Sequence, residues 1–171
     1  MDDESRILIN SFAQDIINLY NIQVPIQNIN EVVSVLGGRI EENTSIDGNG
    51  NIRRENDGFV ICISPLQNPQ SKRFIMAYEL GHLFLHMGYQ INKALWNKQK
   101  NLACYKSNDI SLEYQANEFA MAFLMPQKEY KEMVDQHVVD NKVKINELAD
   151  YFDVPTLVAF NRGKDLGYLH G

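Results

Sequence analysis

The stretch RFIMAYELGHLFLH, Arg73 to His86, constrains the fold of this 171-residue chain more than any other. Tyr78, His82 and His86 stand at i, i+4 and i+8, so on a helix they share one face, with Glu79 beside them. Pro65 to Gln70 reads as a loop, Ser71 as the N-cap, and the helix is predicted to reach about Met87 and stop at Gly88. Upstream the texture is different. RIEENTSI and FVICIS have strand character and are punctuated by the turn signals DGNGN and NDG, which predicts a small antiparallel sheet over Arg39–Ser64. A sheet segment followed directly by a long helix makes the expected class α+β.

Further helices complete that pattern. Ile9, Phe12, Ala13, Ile16, Ile17 and Tyr20 give an amphipathic helix over Ile7–Tyr20, and a second runs from about Asn28 to Leu36, stopping at Gly37–Gly38. Gln90 to Asn108 carries no clear pattern. The next helix begins near Asp109 or Ser111 and ends before Pro126, and two or three short helices fill a C-terminal region over about 127–171. Leu83, Phe84, Leu85, Phe119, Phe123 and Leu124 are expected in the core. Arg53–Arg54 reads as a solvated turn and Cys62 as a buried strand thiol. No repeat or linker divides the chain, so one domain over residues 1–171 is expected.

Composition narrows the function classes. The net charge is −6 with a pI near 5.2, a balance that disfavours non-specific binding to DNA or to an anionic membrane surface. The longest apolar runs, such as Phe59–Ile63, are too short to span a bilayer, and the acidic start MDDESRILIN does not read as a secretory signal. Cys62 and Cys104 make no disulfide framework, and a reducing, cytoplasmic setting is expected.

The helix over Arg73–Met87 also carries chemistry. An H-E-x-x-H motif places two histidines on one zinc ion from successive turns, with the glutamate polarising a metal-bound water. Here Glu79 and His82 stand in that pattern, and Tyr78 occupies the position of the first histidine. An E-x-x-H alone is common by chance. A second segment, LEYQANEFAMAFLMP over Leu112–Pro126, adds Glu113 and Asn117 one helical turn apart. Such a downstream glutamate supplies the third ligand in one class of zinc proteases, and the residue one turn on hydrogen-bonds a ligand histidine.

RFIMAYELGHLFLH followed by EYQANEFAMAFLMP, and then INELADYFDVPTLVAFNRGKDLGYL, resembles the ImmA/IrrE family of zinc-metallopeptidase-like proteins over roughly Phe59 to Leu169. The resemblance implies a zincin-like fold, a zinc cofactor and a regulatory role in bacteria, phages or mobile elements. It also implies that the partner is a helix-turn-helix repressor, which several family members are thought to cleave or inactivate. By position, Glu79 would be the general base, His82 and Glu113 metal ligands and Asn117 the supporting residue behind a ligand. Tyr78 departs from the pattern.

Three readings of that departure stand side by side. Tyr78 could ligate as a phenolate, although losing its proton at pH 7 costs about 4 kcal/mol before a metal helps. His86 could pair with His82 as an alternative ligand, at the expense of Glu79 and Glu113. Or Tyr78 could fill the vacant position, its hydroxyl bonded to Glu113 or Glu79, leaving a metal-free module that binds its partner. For His86 the bland alternative is a favourable partner of a helix C-terminus. His137 and His170 carry no site reading. The strand at Phe59–Ser64 is a candidate for aligning an extended substrate by edge pairing. The C-terminal ELADYFDVP–TLVAF has helix-turn-helix rhythm, yet its second helix is apolar, and from Lys142 to Asp165 four basic residues meet four acidic ones. Packing is therefore expected there rather than DNA contact.

Overall fold

A computed structural model describes residues 1–46, 48–106, 109–139 and 142–169. His170 lies outside the described residues. Helix α1 spans Asp3–Leu19, beginning four residues before the predicted start because Asp2 caps it, accepting from the Ser5 amide at 2.7 Å. Its buried stripe is Ile9, Ala13, Ile16 and Ile17. Helix α2, Ile29–Val35, is capped by Asn28 in the same way.

The sheet departs from expectation. Strands β1 (Gly38–Glu42), β2 (Gly50–Glu55) and β3 (Gly58–Ile63) are ordered β1-β3-β2. β2 and β3 form the antiparallel hairpin predicted at NDG, with Asn56 in the left-handed region at φ 55°. β1, however, runs parallel to β3, with Gly38 opposite Phe59 and Glu42 opposite Ile63. β1 and β2 therefore do not pair as a hairpin across DGNGN: they lie on opposite sides of β3, and Gly50 and Asn51 already belong to β2, while Asp47 lies outside the described residues. The composition of β3 explains its central place: Phe59 to Ile63 is apolar at every position and buried throughout, as a strand covered on both faces and paired on both edges must be. Because both edges of β3 are already paired, it cannot align a substrate by edge pairing.

Helix α3 runs Pro69–Gly81 beneath the sheet. Its cap is Asn68, whose side chain accepts from the Ser71 amide at 2.8 Å, with Pro69 in the first turn where its missing N–H costs nothing. Ser71 is thus inside the helix, not at its cap. Past Gly81 the winding loosens into a π turn over His82–His86, closed by the Met87 amide on the His82 carbonyl at 3.0 Å. Single π turns of this kind interrupt α-helices frequently at functional sites.

Helix α4 (Lys93–Lys98) occupies part of the segment that showed no pattern, capped by Asn92. Helix α5, Ile110–Leu124, begins at the Asp109 cap and crosses α3 closely. Gly81 makes that approach possible, since a Cβ there would lie 2.9 Å from the backbone of Ala116. Between the helices sit Phe12, Phe84, Phe119 and Phe123, with ring centroids 5.5 to 6.2 Å apart. Leu85 is only partly buried and packs at the margin of this core.

After α6 (Gln127–Gln136) comes a short ladder of β4 (Val138–Val139) with β5 (Lys142–Val143), then α7 (Ile145–Phe152) and α8 (Thr156–Asp165). The turn between α7 and α8 is made by Asp153 at φ 51°. Tyr130 on α6 donates to the Ala159 carbonyl at 2.6 Å, and α8 buries Ala159, Arg162 and Gly163. Of its two basic side chains, Arg162 is turned into the protein and Lys164 is exposed. Among the described residues no helix is long and apolar enough to cross a membrane.

Candidate functional site

Helix α3, the π turn and α5 bring Tyr78, Glu79, His82, His86 and Glu113 together below the sheet. Tyr78 and His82 project from successive turns, rings edge to face with centroids 4.9 Å apart. Glu113, from the first turn of α5, reaches across. One of its carboxylate oxygens accepts the Tyr78 hydroxyl, and the other lies 3.7 Å from His82 Nε2. Glu79 points under the first residue of β2, where a Cβ on Gly50 would lie 3.4 Å from its Oε1, and it is 6% exposed.

The π turn folds His86 back onto His82, so that their Nδ1 atoms stand 2.9 Å apart. His86 Nε2 in turn faces Gln115 Oε1 at 3.2 Å. With Gln115 accepting, His86 carries its proton on Nε2 and accepts on Nδ1. His82 then donates from Nδ1 and turns a bare Nε2 toward Glu113. Burial and the neighbouring imidazole both hold His82 below the usual histidine range, so the neutral form is the resident one. His86 is therefore a partner of His82 and Gln115. It is not a free cation at the helix end.

The chain resembles the IrrE N-terminal-like domain over residues 36–163. It belongs to the ImmA/IrrE family. It is 30% identical over 142 residues to the metallopeptidase ImmA of Bacillus subtilis (strain 168), a match that covers 82% of this chain and 77% of that one. A solved structure, a Mycobacterium tuberculosis transcriptional regulator, is similar in fold at a TM-score of 0.58 and 16% identity over 90% of this chain. This chain spans 45% of that regulator's length.

Whether the ImmA/IrrE cleft of this chain suits a zinc ion is a matter of donor chemistry. A catalytic zinc takes three protein ligands from imidazole, thiolate or carboxylate. Among the described residues no three His, Cys, Asp or Glu side chains converge in that manner. The third place is held by a phenol, and burial first, then its bond to Glu113, raise the Tyr78 pKa well above that of free tyrosine. Tyr78 therefore keeps its proton and directs it at the very carboxylate that would otherwise face a metal. The residues present do not fit a catalytic zinc ion.

Three residues did not emerge as the sequence suggested. Asn117 lines a separate cleft of about 400 Å3 with Met1, Arg6 and Asn161. Arg53 and Arg54 are not a solvated turn but sit on β2, Arg53 paired with Glu41 at 2.8 Å and Arg54 donating to the Trp96 carbonyl at 3.0 Å. Sequence reasoning also missed Gln115 and Tyr105. Gln115 stands two residues after Glu113 in EYQAN, a spacing that does not mark the two as neighbours on one helix face, and only the fold-back of His86 gives it a partner. Tyr105 lies in the segment without periodicity, and its ring covers His82 with centroids 5.2 Å apart.

Glu79 gives the cleft a pH signature. Burial, followed by the charge of Glu113, pushes its carboxyl up to about 8. The folded chain then binds a proton that the unfolded chain releases near pH 4.5. The resulting stabilisation is complete below that pH and is lost as pH rises to about 8, a fall on the order of a few kcal/mol. Glu79→Gln is expected to flatten the decline and to make the protein more stable than the parent at pH 8. Urea unfolding midpoints across pH 4–8 check this, and parallel curves for the two chains would refute it.

Proposed function

We propose that this chain is a protein-binding regulator on the ImmA/IrrE scaffold, acting in the cytoplasm on a helix-turn-helix repressor and holding it without cutting it. The observation that carries this reading is the hydrogen bond from Tyr78 to Glu113, which fills the place of the first metal ligand with a protonated phenol. The rest of the cleft supports recognition. Glu79 is kept mostly protonated by burial, and a protonated carboxyl is a poor base for activating water. The outer edge of β2, which only the short stretch 101–105 covers through the Leu102 and Tyr105 amides, suits an extended segment that takes over those main-chain hydrogen bonds.

A second reading, hydrolysis, draws on the kinship to the metallopeptidase ImmA. It requires Glu79, His82, Glu113 and a further ligand to act together, and Tyr78 opposes it. The two part in one experiment. The purified chain is mixed with the helix-turn-helix repressor encoded nearest its gene, with zinc present. A stoichiometric complex containing intact repressor, unchanged by Glu79→Ala, is expected. Repressor fragments that vanish with Glu79→Ala would establish hydrolysis instead.

A further inference from the structure

The outer edge of β2 is already occupied by the chain itself. Residues 101–105 return along it. The Tyr105 amide donates to the Ile52 carbonyl at 2.7 Å, and the Leu102 amide to the Arg54 carbonyl at 2.8 Å. Arg53 and Cys104 form an antiparallel bridge between these two bonds. Further attachment comes from the side chain of Asn101, which accepts from the Asn56 amide at 2.8 Å. At the end of the segment Tyr105 lies over His82 and is stacked on His86, its ring tilted 20° from the latter with centroids 6.2 Å apart. One short stretch thus does two things. It satisfies the sheet edge above α3, and it roofs the histidines of the cleft with an aromatic ring.

The attachment is built to be reversible. Three residue steps on the segment span two on β2, so the pairing contains a bulge and cannot propagate as a regular ladder. Leu102 adopts φ 63°, a conformation that costs a residue with a branched side chain. Asn101 through Cys104 are all exposed, which leaves Tyr105 as the one residue of the segment packed against the core. Few buried contacts and solvent-exposed backbone bonds are the marks of a segment that opens locally.

We propose that residues 101–105 form an autoinhibitory strap, a built-in strand that caps β2 and plugs the cleft with Tyr105. A partner enters by displacing it with an extended segment of its own that places an aromatic residue on His82 and His86. The strap itself defines the chemistry of that segment. It pairs antiparallel to β2 through the Ile52 and Arg54 carbonyls and ends in an aromatic side chain two residues beyond the exposed Ala103. This inference rests on the reading that the cleft binds a protein segment, and it is tested without the repressor.

Native-state amide exchange of the full chain comes first. The Leu102 and Tyr105 amides are expected to exchange at least about 100-fold faster than the amides of β3, with Tyr105→Ala accelerating them about ten-fold further and leaving β3 unchanged. Unchanged β3 rates also show that the variant is folded. A labelled synthetic copy of Gln99–Lys106 is then added to both chains, and it is expected to bind the Tyr105→Ala chain about ten-fold more tightly than the parent. Exchange of the strap in one step with β3 would make it a fixed strand and overturn the proposal. Equal peptide binding by both chains, or binding by neither, would overturn it as well. Failure here leaves the repressor complex to be judged by its own assay, because that assay does not depend on what covers β2 at rest.

Discussion

Arg162→Ala is expected to cost about 3–5 kcal/mol of stability, one of the largest losses available from a single substitution in this chain. Arg162 is fully buried, and its guanidinium is shared among three acceptors. It donates to the Met125 carbonyl at 3.0 Å, to Glu118 at 3.1 Å and to the Asn10 side chain at 2.7 Å. Asn10 donates in turn to the same Glu118 carboxylate at 2.6 Å. The network ties α8 to α5 and α1. Alanine would remove the cation and leave a carboxylate that is 2% exposed with only Asn10 and the more distant Arg6, 3.5 Å away, to offset its charge. Replacing Arg162 and Glu118 together with apolar residues of similar volume should recover most of the loss, because no orphaned charge remains. Urea unfolding of both variants measures this. A loss below about 1 kcal/mol for Arg162→Ala would show that the network is far more hydrated than its burial indicates.

Tyr78→His is expected to have the largest effect on the cleft. The substitution removes the phenol proton from Glu113 and places an imidazole one turn before His82. His82 already presents its bare Nε2 toward Glu113, held in that tautomer by His86 and Gln115. Two of three donors are thus in place, and histidine at position 78 supplies a third of the right kind. The variant should take up roughly one zinc per chain, whereas the parent should retain little after desalting.

Much of this was legible in the sequence because it rested on local signals. The stripe Ile9, Ala13, Ile16 and Ile17, the Asp109 cap and the stop before Pro126 each follow from helical spacing or capping chemistry. The choice of α3 and α5 as the elements that build the cleft came from the two motifs. What escaped was set by long-range pairing. Nothing in RIEENTSI says that it lies beside β3 and parallel to it rather than beside β2, since strand order depends on which faces α2 and α3 cover. Asn68 competed successfully with Ser71 for the helix cap because Pro69 fits the first helical position. Arg53 and Arg54 read as turn residues because flanking Asn and Asp dominate that stretch, whereas pairing opposite Val60 and Phe59 puts them on β2, and Glu41 and the Trp96 carbonyl receive their guanidinium groups. The strap at 101–105 was invisible for the same reason. Its two backbone bonds and the packing of Tyr105 depend on partners about fifty residues upstream and about twenty upstream, and neither leaves a period in the sequence.

The most direct test is metal content by mass spectrometry after zinc loading and desalting, on the parent, on Tyr78→His, and on Tyr78→His combined with Glu113→Ala. The expected result is zinc in Tyr78→His alone, which would mean that a phenol bonded to Glu113 is what separates this cleft from a metal-binding member of its family. Roughly one zinc per chain in the parent would contradict that, because Glu113 cannot both accept the Tyr78 proton and serve as a metal ligand through the same carboxylate oxygen.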